Sequence, residues 1–423
     1  MLLEFSCANF RSINHRCTIS LVGQGISDAP ETNYVLLNKK LKVLKTAALY
    51  GANSSGKTNI IRAFAAMMHH AVESVKLNDG DELYFDPFRL SSSRNKPTLF
   101  ELVFTLGDKA YRYGFEFDRT SIKGEWLYNS NIGGKREKAL FVREGEDIGV
   151  NEKLFPEGID MEKNTNNNRL FLSLCAQLGG TISKQIIAAF KDIGVISGIH
   201  SVGYSGYSKI MLHNHLDGYA EAIKFFDKMQ LGFKNLETEE QEFDMSSLPS
   251  DMPDDIKEQL AKELKGKRSI DVYSRHNIYG SRGAVVGTTR FEIEEESEGT
   301  KKLIQLSGPI FNALVNGSIL WIDELDAKMH PLISQYIVSL FNDPETNPHN
   351  AQLVFSTHDT HMLSSKLLRR DQIWFTEKDK MEQTDLYNMM DIKLPDGSRP
   401  RSDSNFERNY IAGRYGAIPY IND

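Results

Sequence analysis

The sequence carries little that would place it in a membrane or an oxidising compartment. It has three cysteines, Cys7, Cys17 and Cys175, with no CxxC pair and no zinc-ligand spacing. A disulfide framework is thereby excluded, and a reducing, cytoplasmic interior is implied. No stretch approaches the roughly 18 continuous apolar residues that a membrane helix requires. A basic leader and an apolar signal core are also missing: residues 1–10 alternate apolar and polar, with Glu4 among them, and read as a first strand. Positive charge is not in excess, with 50 Lys and Arg against 57 Asp and Glu and a net charge of −7. That balance argues against a protein that coats nucleic acid, though a local basic groove is compatible with it. No heptad persists over three or four turns, which excludes a long coiled coil, and no internal repeat is visible.

What is present is a globular chain. It has 423 residues, 40% of them apolar, enough for a sizeable core in one large or two to three ordinary domains. The first hundred residues read as strands with one glycine-rich interruption. An apolar run at 43–50 ends at Gly51, and Ile60, Ile61, Phe64, Met67, Met68 and Val72 then follow at helical spacing. From Thr98 the text alternates as an antiparallel meander, Phe100 to Leu106 up to a Gly107-Asp108 turn and Tyr111 to Phe117 back, followed by 122–127. The alternating aromatics read as sheet packing rather than a base-stacking platform. Between about 128 and 289 the character changes, with helical patterns at 171–178, 182–190, 219–229 and 255–264 and breakers at Pro249 and Pro253. The last third returns to α/β texture: apolar runs at 318–323 and 352–356 suit buried parallel strands, 331–341 suits the crossover helix, and 372–375 and 381–386 suit closing strands.

Gly51-Ala52-Asn53-Ser54-Ser55-Gly56-Lys57-Thr58 fits the phosphate-loop pattern, and it sits after an apolar strand and before a helix. Backbone N–H groups of such a loop converge on phosphate oxygens, aided by the helix dipole. Lys57 then neutralises β- and γ-phosphates, and the Thr58 hydroxyl suits Mg²⁺. A second metal carboxylate is required at the end of a neighbouring strand, and Ile319-Leu320-Trp321-Ile322-Asp323-Glu324 supplies it. Asp323 suits the metal and Glu324 the attacking water.

Ser297-Glu298-Gly299-Thr300 lies upstream, with Ser297 26 residues before Asp323; Ser356-Thr357-His358-Asp359 lies downstream, with His358 35 residues after it. With Asn9-Phe10-Arg11-Ser12 at the start, the order resembles the ABC-type ATPases of the SMC, RecF and OLD group. The resemblance implies a two-lobed ABC-type head of α/β class, a mixed or parallel phosphate-loop sheet plus an antiparallel meander, with an inserted mainly helical domain. On this reading 1–127 is the first lobe, 128–289 the insertion and 290–423 the second lobe. It also implies that Ser297 and Gly299 cap the γ-phosphate held by another protomer, that Leu325-Asp326 is the D-loop, that His358 senses the γ-phosphate and that Arg11 approaches the nucleotide. The sequence departs from the group in its signature, Ser-Glu-Gly-Thr, and in having no glutamine near Phe85-Asp86-Pro87-Phe88-Arg89, where a Q-loop is expected.

The Trp-Ile-Asp-Glu-Leu-Asp run and the segment Gly413-Arg414-Tyr415-Gly416-Ala417-Ile418-Pro419 look like the AAA-type ATPases of bacterial phage-defence operons, the abortive-infection and Rlo-type ATPases and the PARIS ATPase subunit. This implies an ATP- and Mg²⁺-dependent sensor or scaffold that dimerises head to head, or assembles further. It would control a separately encoded Toprim- or RloB-like effector in response to DNA or a phage protein. The alternative is an SMC- or RecF-like DNA maintenance ATPase, for which Arg275, Arg282, Arg290, Lys301 and Lys302, or Arg399, Arg401, Arg408 and Arg414, would line a groove. A self-contained OLD-type nuclease is disfavoured, since no Asp-x-Asp occurs in the 65 residues after His358. The pairs His69-His70 and His213-Asn214-His215 lack metal-ligand neighbours, so no zinc is expected.

Overall fold

The computed structural model describes residues 1–201, 203–242, 268–394 and 397–419. The described chain forms two compact units, 1–199 with 316–327 and 331–423, and 200–315 with 328–330. No described helix is long and apolar enough to cross a membrane.

The first unit is a mixed α/β structure, as the sequence leads one to expect. Its six-stranded sheet runs Gly194–Ser197, Ile319–Asp323, Gln352–Ser356, Thr46–Tyr50, Ile373–Lys378, Thr384–Asn388. The first five strands are parallel and the last pairs antiparallel. Every residue of Thr46–Tyr50 and Gln352–Ser356 is buried, the signature of central strands covered on both faces. The 43–50 run divides at the buried Lys45: Leu41–Leu44 pairs with Tyr34–Leu37, and only Thr46–Tyr50 enters the parallel sheet.

The antiparallel sheet has seven strands in the order Asp147–Val150, Lys138–Glu144, Ile122–Asn131, Lys109–Phe117, Thr98–Leu106, Leu2–Ala8, Cys17–Ser20. The meander therefore extends past the boundary drawn at 127/128. Leu140, Phe141, Phe155 and Phe171 close its core, and Phe190 of helix Thr181–Lys191 packs on Phe104 with ring centroids 5.3 Å apart. Residues 128–199 thus belong to the first unit and not to an insertion, because their apolar side chains complete this sheet's buried face.

Helix Lys57–Glu73 carries the sandwich: its Phe64 stacks on Trp321 of the parallel sheet at 4.2 Å and meets Phe5 of the antiparallel sheet edge-on at 5.1 Å. The alternating aromatics are core residues, with Phe100, Tyr113, Phe115 and Phe117 fully buried.

In the second unit, helices Ser205–Asn214, Tyr219–Met229 and Glu298–Asn316 accompany a three-stranded antiparallel sheet of Asn235–Glu242, Arg268–Tyr279 and Val285–Glu292. Among its described residues the unit therefore mixes helices with a sheet, where the sequence leads one to expect mainly helices. Asn235–Glu242 hides from apolar pattern reading because it is held by charge: Glu237 pairs with Arg275, Glu239 with Arg290 and Glu240 with Arg268 across the sheet. The helix expected at 255–264 lies outside the described residues.

Candidate functional site

The phosphate loop joins the central strand Thr46–Tyr50 to helix Lys57–Glu73. Ser54 lies at φ 64° and Gly56 at φ 117°, left-handed conformations of the kind that let a loop present N–H groups to an anion, while the Ser55 N–H between them donates to the Ala52 carbonyl at 3.2 Å. The helix starts at Gly56 with no side-chain cap, leaving its first N–H groups without a side-chain acceptor. A Cβ on Gly56 would strike the Thr384 side chain, and one on Gly51 would come within 2.5 Å of Ser55 and Thr376. Two threonines of the 373–388 hairpin hold the loop from behind. Thr376 Oγ1 bonds Ser55 Oγ at 2.6 Å, and Thr384 Oγ1 donates to the Ser55 carbonyl at 3.0 Å. Thr384 also bonds Ser12, which accepts from Asn59.

Lys57 is 5% exposed and donates to the carbonyls of Gly51 at 2.7 Å and Ala52 at 3.1 Å. Burial depresses its ammonium to about 8, against the opposing pull of Asp323, Glu324 and Asp326. An open cleft of about 650 Å³ is lined by Asn53, Ser54, Ser55, Gly56, Lys57, Thr58, Asn59, Arg62, Glu324, His358 and Lys378. The loop, Glu324 and His358, all legible in the sequence, share this one cavity. Arg62 and Lys378 join them without a motif to announce them. Arg62 follows Thr58 by one helical turn, a spacing that could have been read; Lys378 arrives from a distant strand. Neither has an ion pair among the described residues; the cations Lys57, Arg62 and Lys378 line the cleft with the carboxylate of Glu324, and Asp323 and Asp326 stand near enough to act on Lys57.

Asp323 ends its strand, and Glu324 follows at φ 55°. Ser356 Oγ donates to Asp323 Oδ1 at 2.6 Å and accepts from the Glu324 N–H at 2.7 Å. Asp326 accepts the His358 N–H at 3.4 Å. The His358 imidazole is pushed below its ordinary value by desolvation and then by Lys57.

Arg11, at φ 50°, pairs with Asp86 at 3.1 Å and donates to the Tyr84 hydroxyl at 3.1 Å. With Asp86, Pro87, Phe88 and Arg89 it lines a hollow that shares Asn59 and Lys378 with the phosphate-loop cleft. The segment looked to for a Q-loop thus docks on the first turn of the chain: Arg11 N–H donates to the Asp86 carbonyl and Phe88 N–H to Asn9 Oδ1.

Ser297 and Gly299 belong to the second unit. Ser297 Oγ accepts from Thr300 N–H at 3.1 Å and so caps helix Glu298–Asn316, with Gly299 in its first turn. Between them, Glu298 is held down to about 2 by Lys301 and Lys328.

The residues fit a nucleoside triphosphate and a hard cation. The loop admits no Cβ at Gly51 or Gly56, Lys57, Arg62 and Lys378 line the cleft, and Thr58 and Asp323 offer the oxygen donors that Mg²⁺ prefers.

The sequence matches, over residues 47–173 and 216–364, the family described as "AAA domain, putative AbiEii toxin, Type IV TA system". Among solved structures, the chain is similar to the SMC head domain from Thermotoga maritima, with 14% identity, a TM-score of 0.42 and coverage of 92% of this chain and 98% of that one. It is also similar to the SMC head bound to the C-winged helix domain of ScpA, at 12% identity, TM-score 0.41 and 92% and 97% coverage. A third is the recombination mediator RecF with ATPrS, at 11% identity, TM-score 0.31 and 91% and 98% coverage. No curated protein matches the sequence.

Proposed function

The chain belongs to that AAA-domain family, and on this premise we propose that it binds ATP with Mg²⁺ and hydrolyses it. The observation that carries the reading is the shared cleft: phosphate loop, Lys57, Glu324 and His358 line one cavity. Loop residues Gly51, Asn53, Ser54, Ser55 and Gly56 surround the phosphates, with N–H groups of the loop donating to them, and Lys57 leaves its two carbonyls to meet them. Thr58 and Asp323 hold the cation, which when bound neutralises phosphate charge. Glu324 orients a water and takes its proton, and His358 contacts the γ-phosphate. Arg11 and its hollow face the nucleoside. Ser297 and Gly299 serve the nucleotide of a second copy, with Asp326 at the junction, so the working unit is at least a dimer.

The wider role we infer is a switch subunit of an anti-phage complex, whose ATP cycle holds or releases a toxic Toprim- or RloB-like effector. The family's description, "putative AbiEii toxin, Type IV TA system", supports a place in a toxin–antitoxin type of system. The DNA-maintenance alternative needs free cations, and several candidates are engaged: Arg275 and Arg290 are paired with Glu237 and Glu239, and Lys302 is buried against the Tyr204 hydroxyl at 2.6 Å. Calorimetric titration with ATP·Mg²⁺, beside the same titration of Lys57→Ala, tests the core of the proposal. Equal affinities for the two proteins would refute it.

A further inference from the structure

Ser356 ends the central strand Gln352–Ser356, beside the strand that delivers Asp323, and it is fully buried. It holds three successive residues of the neighbouring turn. Its hydroxyl donates to Asp323 Oδ1 at 2.6 Å and accepts the Glu324 N–H at 2.7 Å, while its carbonyl accepts the Leu325 N–H at 3.0 Å. A backbone N–H can only donate, so the single hydroxyl proton is committed to Asp323 and the direction of both bonds is fixed. Glu324 needs such a hold: at φ 55° it sits in a conformation that costs a non-glycine residue energy and persists only where its surroundings dictate it. From the other side, the Gly198 N–H donates to the Asp323 carbonyl at 2.5 Å, and a Cβ there would collide with the Glu324 carbonyl group.

We propose that Ser356 is the positioning residue that aims the Glu324 carboxylate into the phosphate cleft, with Gly198 giving the turn its clearance. The inference rests on the hydrolytic reading of this site. Ser356 is not among the residues that line the cleft; it acts on Glu324 through that residue's backbone N–H. Removing its hydroxyl leaves the Glu324 N–H and one oxygen of Asp323 without their buried partner, and the turn relaxes toward right-handed backbone. The carboxylate then swings away from the place where it meets water.

The test is a double-mutant cycle on the purified 423-residue chain, read as ATP hydrolysis over a range of ATP concentrations at saturating Mg²⁺. Ser356→Ala is expected to lower kcat about 10–100-fold with KM within about threefold. In a Glu324→Gln background, with saturating Mg²⁺ offsetting the lost hold on Asp323, the same change should have a much smaller effect, since the carboxylate being aimed is gone. A purely structural serine would instead lower both backgrounds alike, and that result overturns the proposal, as does wild-type kcat in Ser356→Ala. Should Ser356→Ala fail to fold, Gly198→Ala attacks the same turn from the opposite face and must show the same coupling to Glu324; absence of that coupling overturns the proposal equally. Failure of the underlying reading looks different: the wild-type protein itself would not hydrolyse ATP.

Discussion

The ammonium nitrogen of Lys57 stands 2.7 Å from the carbonyl oxygen of Gly51, at the far end of the same loop. The lysine is folded back onto its own backbone and partly desolvated, which is why its proton is held less firmly than usual.

A pH dependence follows. With Lys57 near 8 in the free protein, the ammonium is mostly charged at pH 7 and mostly neutral at pH 9. Phosphate favours the charged form, so ATP binding must take up a proton above pH 8. Affinity is expected to fall about tenfold between pH 7 and pH 9, with proton uptake visible as a buffer-dependent heat. Lys57→Arg keeps its charge throughout, so any binding it retains should be flat over this range. A wild-type affinity independent of pH would contradict the site.

Glu324→Gln should bind ATP as tightly as the wild type and lose roughly 10²–10⁴-fold in turnover. Phosphate release and calorimetry on the same preparation separate the two. Turnover near the wild-type rate would remove Glu324 from the chemistry.

Arg62 and Lys378 should act as ordinary electrostatic contacts with the phosphates. Each alanine variant is expected to weaken ATP binding about three- to tenfold at low salt, and less at high salt because both side chains meet solvent. An undiminished affinity in Arg62→Ala/Lys378→Ala at low salt would show that the two cations face elsewhere.

Shared sites predict complementation. Lys57→Ala and Ser297→Arg should each be inactive, and mixing them should raise ATPase activity above the sum of the two, because one composite site in the heterodimer is intact. If mixing adds nothing while subunit exchange is demonstrated directly, Ser297 does not serve a second copy.

Some of this site is legible in the sequence and some is not, and the division is physical. Gly51 to Thr58 can be read because a phosphate cradle is built from consecutive N–H groups, so its residues must be contiguous. Asp323 and Glu324 can be read because a carboxylate pair at the end of an apolar strand is conspicuous. Thr376, Thr384 and Lys378 carry no local signal: a threonine in a strand is unremarkable until the sheet order sets it behind the loop. Residues 128–150 continue the meander with weaker alternation, so the sequence alone put a boundary where the sheet has none. Asn235–Glu242 failed for the opposite reason, being a strand whose register is written in charge.

The order of the parallel sheet bears on how the protein comes into being. Thr46–Tyr50 lies between Gln352–Ser356 and Ile373–Lys378, and Thr376 reaches the Tyr50 carbonyl across 326 residues of chain. A ribosome therefore finishes the phosphate loop long before either neighbouring strand exists. Until those strands arrive, the loop-bearing segment is an apolar edge with nothing to pair, which is a hazard for long-range sheets generally. Nucleotide binding should thus wait until Gln352–Ser356 and Ile373–Lys378 have both been made, long after the loop itself.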